Sequence, residues 1–362
     1  MRLSLNNWRC FESISLNLPE HGFSVSDQNG VGKTSILSAL FVLYTGLPWT
    51  DQSLKNCLRH QQNYFGVKNE FVSFNAQLEP SGRLKTKQEI LAEDFSKPLI
   101  LSYSPLDNQL LSLTRTKKIN FIDQILGQIL PNYISNLRVL TKLLAHKQAM
   151  IKSVIEENQT IDQTLLNTIN QSIWNFSHYF WEERMKFLDF LNSTLPDAQK
   201  WLNLSFGSLS LKYFTTIETI YKSSHSYSNL DALLDQSKTL ESKDILHAVW
   251  QKELAAGRCM WGSQRDDFEV LLDGENVIDV LSRGQMRLLV LWLKYLSLSY
   301  AREKLSFNSK VWWLLDDAFN ELDNSREQIL VQEILTKVDW FMITSTRKND
   351  ICPSFSLEEL MV

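Results

Sequence analysis

Glycine and proline are scarce in this chain, at 12 and 8 of 362 residues, which excludes collagen-like and low-complexity architectures. Cysteine is scarcer still: Cys10, Cys57, Cys259 and Cys352 stand far apart with no C-x-x-C pair. Such spacing gives neither a zinc cage nor a disulfide framework, and reduced thiols are expected. No apolar run approaches the roughly 20 residues that span a bilayer. Met1-Arg2-Leu3 leads into polar sequence instead of a signal-peptide core. A cytoplasmic protein with no membrane partner is the expectation. An excess of positive charge is missing too, since 37 Lys and Arg face 41 Asp and Glu for a formal net charge of −4. That balance excludes a surface coated in phosphate-binding cations, so any nucleic-acid contact must be local. What is present is ordinary globular material, 44% hydrophobic and 22% charged, long enough for two domains or for one domain carrying a large insertion.

From Leu3 to about Ile100, apolar and polar residues alternate in short runs such as Ile14-Ser15-Leu16-Asn17-Leu18 and Phe71-Val72-Ser73-Phe74, the period of strands. One apolar run, Ser35 to Tyr44, is too long for a strand and reads as a helix ended by Gly46 and Pro48. From about Lys118 to Glu253 the spacing becomes three and four, as in Ile134, Leu137, Leu140 and Leu144, or Phe176, Phe180, Met185, Leu188 and Leu191. That spacing predicts amphipathic helices. Alternation between Trp201 and Ile217 predicts a short β segment, and helix returns from Asp231 to Leu254. A strand Phe268–Leu272, a helix Ser282–Ala301, a strand Val311–Leu315, a helix Ser325–Val338 and a strand Trp340–Thr344 follow. Alternating β and α elements imply a mainly parallel sheet. The expected fold class is α/β: a head formed by 1–118 and 255–362, split in sequence by a mainly helical arm over 119–254.

Between the strand at Phe23-Ser24-Val25 and the first helix lies Asp27-Gln28-Asn29-Gly30-Val31-Gly32-Lys33-Thr34-Ser35, the context a phosphate-binding loop requires. Its glycines let successive backbone N–H groups face an anion, and the helix N-terminus adds partial positive charge. Lys33 reaches the outer phosphates and Thr34 offers a hydroxyl to Mg²⁺. The pattern G-x-x-x-x-G-K-[ST] has glycine first, where this chain has Asp27. Aspartate tolerates left-handed backbone, but its carboxylate adds negative charge beside phosphates, so weakened nucleotide binding is expected.

Lys310-Val311-Trp312-Trp313-Leu314-Leu315-Asp316-Asp317 is an apolar strand ending in two carboxylates, the arrangement called Walker B. Asp316 is placed to hold Mg²⁺ and Asp317 to orient, or take a proton from, an attacking water. About thirty residues upstream, Leu281-Ser282-Arg283-Gly284-Gln285 looks like the ABC signature L-S-G-G-Q. There Ser282 as helix N-cap, the N–H of Gly284, and Gln285 would face a γ-phosphate bound to another subunit. Asn320-Glu321-Leu322-Asp323 takes the place of a D-loop. Ile343-Thr344-Ser345-Thr346 lies where ABC transporters carry a switch histidine, and has none. His146 and His178, on helical faces, read as solvent-facing or core residues rather than ligands.

In order and nearly end to end, these strings resemble one family, bacterial RecF. Tyr103-Ser104-Pro105-Leu106-Asp107 is similar to the family's F-S-P-E-D, and Lys118-Ile119-Asn120-Phe121-Ile122-Asp123 to R-R-x-F-L-D. Gly262-Ser263-Gln264-Arg265-Asp266-Asp267-Phe268 is similar to G-P-H-R-D-D-L, Ser282-Arg283-Gly284-Gln285-Met286-Arg287 to S-Q-G-Q-Q-R, and the string from Leu314 to Asp323 to L-L-D-D-V-x-S-E-L-D. The chain departs at Asp27, Ile119, Arg283 and Met286. The resemblance implies a globular relative of SMC proteins with a short helical arm, using ATP and Mg²⁺. It implies a homodimer closed by ATP, slow DNA-stimulated hydrolysis, and work with RecO and RecR on double-stranded or gapped DNA in recombinational repair. Carried over by position, Asp107 would occupy the Q-loop site near Mg²⁺ and water, and Arg9 would approach the adenine or phosphates.

If the signature of one copy completes the site of the other, ATP holds two heads together and hydrolysis times their release. Aspartate at 317, where many ABC proteins have glutamate, shortens the reach to water and predicts turnover well below roughly one per second. Local candidates for DNA contact are Arg115, Lys117, Lys118, Arg138, Lys142, Lys147 and Lys152, against the alternative of a solvated helix face. Two other readings stand beside this one. One is a nucleotide-responsive scaffold with weak or no ATPase activity; the other is an ATPase subunit of a defence or transport system, with transport disfavoured by the missing histidine.

Overall fold

The alternating residues near the N-terminus pair as the spacing predicts. In the computed structural model, β1 (Arg2–Trp8) and β2 (Phe11–Asn17) form a hairpin joined by two residues. β4 (Tyr64–Lys68), β5 (Val72–Leu78) and β6 (Leu84–Ile90) extend it into a sheet of order β2-β1-β4-β5-β6. Every neighbouring pair in it is antiparallel. The structure describes all residues except 50–52, 94, 203–206, 217–242, 306–308, 319–334 and 347–351. Asn320–Asp323, most of the expected helix Ser325–Val338 and the first half of the expected helix Asp231–Leu254 therefore lie outside the described residues.

A second sheet has order β13-β3-β12-β11-β7 and is wholly parallel. Its strands are β3 (Phe23–Ser26), β7 (Leu99–Tyr103), β11 (Val311–Leu315), β12 (Trp340–Ser345) and β13 (Ser354–Phe355). β11 is apolar throughout, and β7 and β12 open on the apolar runs Leu99–Leu101 and Trp340–Ile343, as expected where both faces are covered. The mainly parallel arrangement expected from element order thus describes one of two five-stranded sheets. The other is antiparallel because connections as short as Arg9-Cys10 can only join antiparallel neighbours.

α1 (Lys33–Thr45) packs against strands of both sheets. Ser35 to Tyr44 are all buried, so a helix with no polar face is the right helix for this place. Gly46 ends it with φ 71°, its N–H donating to the Val42 carbonyl at 2.9 Å, a left-handed cap that glycine adopts without strain.

The chain divides into two compact units, 1–108 with 282–362, and 109–281. The second contains α2 (Arg115–Ile129), α3 (Tyr133–Glu157), α4 (Gln163–Leu202) and the helix Lys243–Ala256. It also holds an antiparallel sheet β10-β9-β8, from β8 (Leu209–Phe214), β9 (Asp267–Leu272) and β10 (Glu275–Asn276). The division falls elsewhere than the boundaries at 118 and 255 suggested by sequence texture, and the reason is local. β9 pairs with β8 along six residues, and Lys118 of α2 donates to the Phe268 carbonyl at 2.8 Å. Among the described residues no helix is long and apolar enough to cross a membrane.

Candidate functional site

Parallel strands align their C-terminal ends on one edge, where ligands of α/β sheets bind. The register places Leu315 beside Tyr103 and Ile343, and Ser345 beside Ser26. The residues following β3, β7 and β11 and those ending β12 therefore converge: the phosphate-loop candidate, Ser104 to Asp107, the Asp316-Asp317 pair, and Thr344 with Ser345.

The loop after β3 has the shape its sequence predicts. Gly30 and Gly32 take φ of 87° and 106°, and a Cβ on Gly32 would meet the Phe11 ring at 2.5 Å. Asp27 is not among the left-handed residues, so its tolerance for such backbone is not what admits it. Its carboxylate accepts from the Gln28 N–H at 2.7 Å and the Leu357 N–H at 3.3 Å. Those two bonds hold its pKa below the usual carboxylate range. Lys33, 7% exposed, donates its amine to the Asp27 carbonyl and, at 2.7 Å, to that of Gln28. Arg9, half-buried with φ 47°, lies between Trp8, whose indole donates to the Ser35 carbonyl at 2.8 Å, and Cys10, whose thiol meets the Ser35 hydroxyl at 3.8 Å. Its Nε is buried without a hydrogen-bond partner among the described residues.

The hydroxyl of Thr34 donates to both oxygens of Asp316, at 2.9 and 3.0 Å. Thr344 donates to Asp316 Oδ1 at 2.6 Å. Burial pushes the Asp316 carboxyl pKa up, against the pull of those two hydroxyls. Asp317 follows with φ 47°, a conformation that costs a non-glycine residue about 1–2 kcal/mol. It is clamped from both sides. Its N–H donates to the carbonyl and hydroxyl of Thr344, both at 3.1 Å. Arg287 donates to the Asp317 and Ala318 carbonyls, both at 2.7 Å. Asp317 Oδ1 is buried with no partner among the described residues. A hydroxyl and two carboxylates, one of them with an unmet acceptor, are the hard oxygen donors that Mg²⁺ prefers, and the residues fit such an ion.

Asp107 faces other work. Its Oδ2 accepts from the Ser104 N–H at 2.7 Å and lies 3.1 Å from the Lys294 amine, which leaves Oδ1 for the Q-loop role the resemblance implies. Ser282 caps the helix Arg283–Lys304 in a reciprocal box: its hydroxyl accepts from the Gln285 N–H at 3.3 Å, and Gln285 Oε1 accepts from the Ser282 N–H at 3.0 Å. Ser282, Arg283 and Gly284 are exposed, and a Cβ on Gly284 would meet nothing within 4 Å. The fold thus joins Lys33, Thr34, Asp316 and Asp317 on one edge. No hydrogen bond among the described residues ties Ser282, Gly284 or Gln285 to that loop.

Two of the cations singled out for DNA contact are corrected by their surroundings. Lys118, 6% exposed, lies 2.5 Å from Asp267. Lys147, 1% exposed, pairs with Glu253 at 2.7 Å beneath the Trp261 ring. Both charges are spent inside the arm. Arg115, Arg138, Lys142 and Lys152 are exposed and Lys117 is half-buried; Lys152 lies 3.5 Å from Glu156. Thr344 and Arg287 were missed as site residues. A hydroxyl ending a core strand, and a cation one turn into the signature helix, were the available signals.

No protein-family model matches the chain. It aligns nearly end to end with the DNA replication and repair protein RecF of Acholeplasma laidlawii (strain PG-8A), 25% identical over 354 residues, 96% of this chain and 93% of that protein. The RecF protein of Bacillus cytotoxicus is likewise 25% identical over 357 residues, 95% of this chain and 91% of that one. A solved structure of the recombination mediator protein RecF-ATP in the RecFOR pathway matches with a TM-score of 0.78 at 20% identity, covering 96% of this chain and 92% of that chain. The fold is that of an ABC/SMC-type P-loop ATPase head, with a mainly helical arm inserted in its sequence. Within that class its likeness, over nearly the whole chain, is to bacterial RecF.

Proposed function

We propose that this protein binds ATP with Mg²⁺ and, in pairs closed by the nucleotide, engages gapped or double-stranded DNA in recombinational repair alongside RecR- and RecO-like proteins. The observation that carries the reading is the Thr34 hydroxyl on the Asp316 carboxylate, 282 positions apart in sequence. Packing alone gives no reason to bring a threonine from the phosphate loop onto a strand-end aspartate. Thr34 and Asp316 would hold Mg²⁺, which supplies charge neutralisation at the phosphates. Lys33 and the N–H groups from Asn29 to Ser35 cradle the phosphates, with Arg9 at the base or phosphates. Asp317 orients water, and its backbone is held for that task by Thr344 and Arg287. The exposed signature turn Ser282-Arg283-Gly284 suits contact with a second copy's nucleotide, and Arg115, Lys117, Arg138, Lys142 and Lys152 are the candidates for DNA.

ATP calorimetry on three proteins tests this. The wild type is expected to bind, Lys33→Ala to lose binding, and Asp317→Asn to bind while losing hydrolysis. Wild-type turnover is expected well below roughly one per second. A wild type that binds ATP and never turns it over would instead support the scaffold reading. Sedimentation with and without ATP and gapped duplex tests closure, and a chain that stays monomeric in every condition contradicts it.

A further inference from the structure

The second unit holds a cavity of about 510 Å³ whose lining includes Arg115, Arg258 and Arg265 with Thr116 and Gln148, and no carboxylate. Three arginines lining one concavity is an unfavourable arrangement for an isolated fold, because like charges repel and only Arg115 has a carboxylate within salt-bridge distance among the described residues. The crowding is visible in Arg265, whose pKa is held below the usual arginine value by burial first and then by Arg258, with Arg115 contributing. Arg115 lies 3.6 Å from Asp267, a long pairing in which the arginine side chain is exposed. Among the described residues no carboxylate lies within salt-bridge distance of Arg258 or Arg265.

The cations are also built into position. The helix Lys243–Ala256 ends at Gly257, with φ 66°, and the Arg258 N–H donates back to the Glu253 carbonyl at 3.1 Å. Gln148 of α3 grips the residues on either side of Arg258, donating to the Gly257 carbonyl at 2.9 Å and accepting from the Cys259 N–H at 3.2 Å. Arg265 fastens the same turn by donating its Nε to the Cys259 carbonyl at 3.1 Å, which leaves its terminal nitrogens for the cavity. Lys118 and Lys147, the buried cations nearby in sequence, are satisfied by Asp267 and Glu253. The unit therefore neutralises the cations it uses for stability and leaves Arg258 and Arg265 without a carboxylate among the described residues.

We infer that this arginine cavity is a phosphate-binding pocket that takes a backbone phosphate of nucleic acid. Arginine's planar fork matches phosphate geometry. Extended polyanion is favoured over a lone anion by continuity: α3, which lines the cavity through Gln148, carries Arg138 and Lys142 on its exposed side within the preceding three turns. At about 1.5 Å per residue this places basic groups along roughly 15 Å leading to the pocket. A pocket of this kind reads no base edge, so it grips any sequence. The inference rests on the DNA-binding reading proposed above and names where the second unit makes its contact.

The test compares full-length wild type with the double variant Arg258→Gln, Arg265→Gln for binding to gapped duplex across a salt titration, with ATP calorimetry and thermal melting as controls. The variant is expected to bind more weakly, about equally on unrelated sequences, with the slope of log affinity against log salt flattened by about 1. Its ATP binding is expected unchanged and its melting temperature lowered only by the loss of the one Arg265–Cys259 hydrogen bond; Arg258→Lys, Arg265→Lys retains charge and is expected to fall between in DNA binding. Wild-type slope and affinity in a folded double variant overturn the pocket assignment. Unchanged DNA binding with a lost hold on a RecR-like protein overturns it too, and gives the cavity to an acidic protein segment. A wild type that binds no DNA refutes the repair reading itself, a different outcome from either.

Discussion

Each unit of this molecule contains two consecutive aspartates beside a β-strand, and the two pairs have opposite fates. Asp266 and Asp267 meet cations. Arg184, with its side chain 1% exposed, bonds Asp266 at 2.6 Å and Asp123 at 2.9 Å, while Lys118 lies 2.5 Å from Asp267. Tyr213 and Trp181 donate to Asp266 as well. Asp316 and Asp317 meet no cation within salt-bridge distance among the described residues. Asp316 is held by two threonine hydroxyls, and Asp317 keeps a buried oxygen unpaired. Identical dipeptides thus form a cation-saturated staple in one place and a pair with an acceptor still open in the other. The difference lies in what the rest of the chain brings to them. A pair ion-paired to arginine and lysine is offset within the protein, whereas Asp316, met by hydroxyls, and Asp317, with a buried oxygen unpaired, have no cation within salt-bridge distance among the described residues.

The sharpest way to break the comparison is to remove the partners. Arg184→Leu strands two buried carboxylates and is expected to destabilise the protein by about 3–5 kcal/mol, read as a lower denaturant midpoint. Asp316→Asn removes a charge that no cation offsets, so stability is expected to change by less than about 1 kcal/mol while Mg²⁺-dependent ATP binding is lost. Equal stability losses in the two variants would end the distinction.

A smaller effect separates the pairs by pH. One guanidinium serves both Asp123 and Asp266, so it does not fully offset their desolvation, and burial pushes Asp266 up to about 6 from 3.8. Between those values the folded chain holds a proton that the unfolded chain has lost. The stability associated with this group is whole below pH 3.8 and is lost as the pH rises to about 6, by on the order of 3 kcal/mol at most. Asp266→Asn stays neutral throughout. The wild-type minus variant difference is therefore expected to fall from about pH 4 to about pH 6 and then stay level, and a flat difference in chemical denaturation contradicts it.

What was legible in sequence follows the range over which the physics acts. The phosphate loop, the apolar strand ending in Asp316-Asp317, and Ser282 as helix cap are local patterns, and the fold assembles each as its spacing implies. The Arg-Asp-Asp string at 265–267 was legible as a motif but not as a mechanism, because its cations sit on helices 80 or more positions upstream at Arg184 and, farther still, at Lys118. Lys118 and Lys147 illustrate the same limit: at helical spacing a lysine on the surface and one folded against a tryptophan look alike. Thr344 was read for the histidine it is not, whereas its hydroxyl bonds Asp316. The nucleotide head was therefore more legible than the arm, whose chemistry depends on pairings between distant segments.

Asp27 gives the last test, and the smallest effect. By its place in the loop sequence, its carboxylate is expected to oppose the phosphates. In the folded loop both of its oxygens are taken by backbone N–H groups, of Gln28 within the loop and of Leu357 at the start of the helix Leu357–Leu360. A carboxylate bonded in this way presents less of its charge to a neighbouring anion, and it anchors the loop to the C-terminal helix. Asp27→Gly removes the repulsion and the anchor together, and frees the loop's backbone in the unfolded chain. ATP affinity is expected to change by less than about threefold in calorimetry, against loss of binding in Lys33→Ala, because the two losses oppose each other. A gain of tenfold or more would mean that the charge acts on the phosphates despite its hydrogen bonds, and that the loop needs no tether to Leu357.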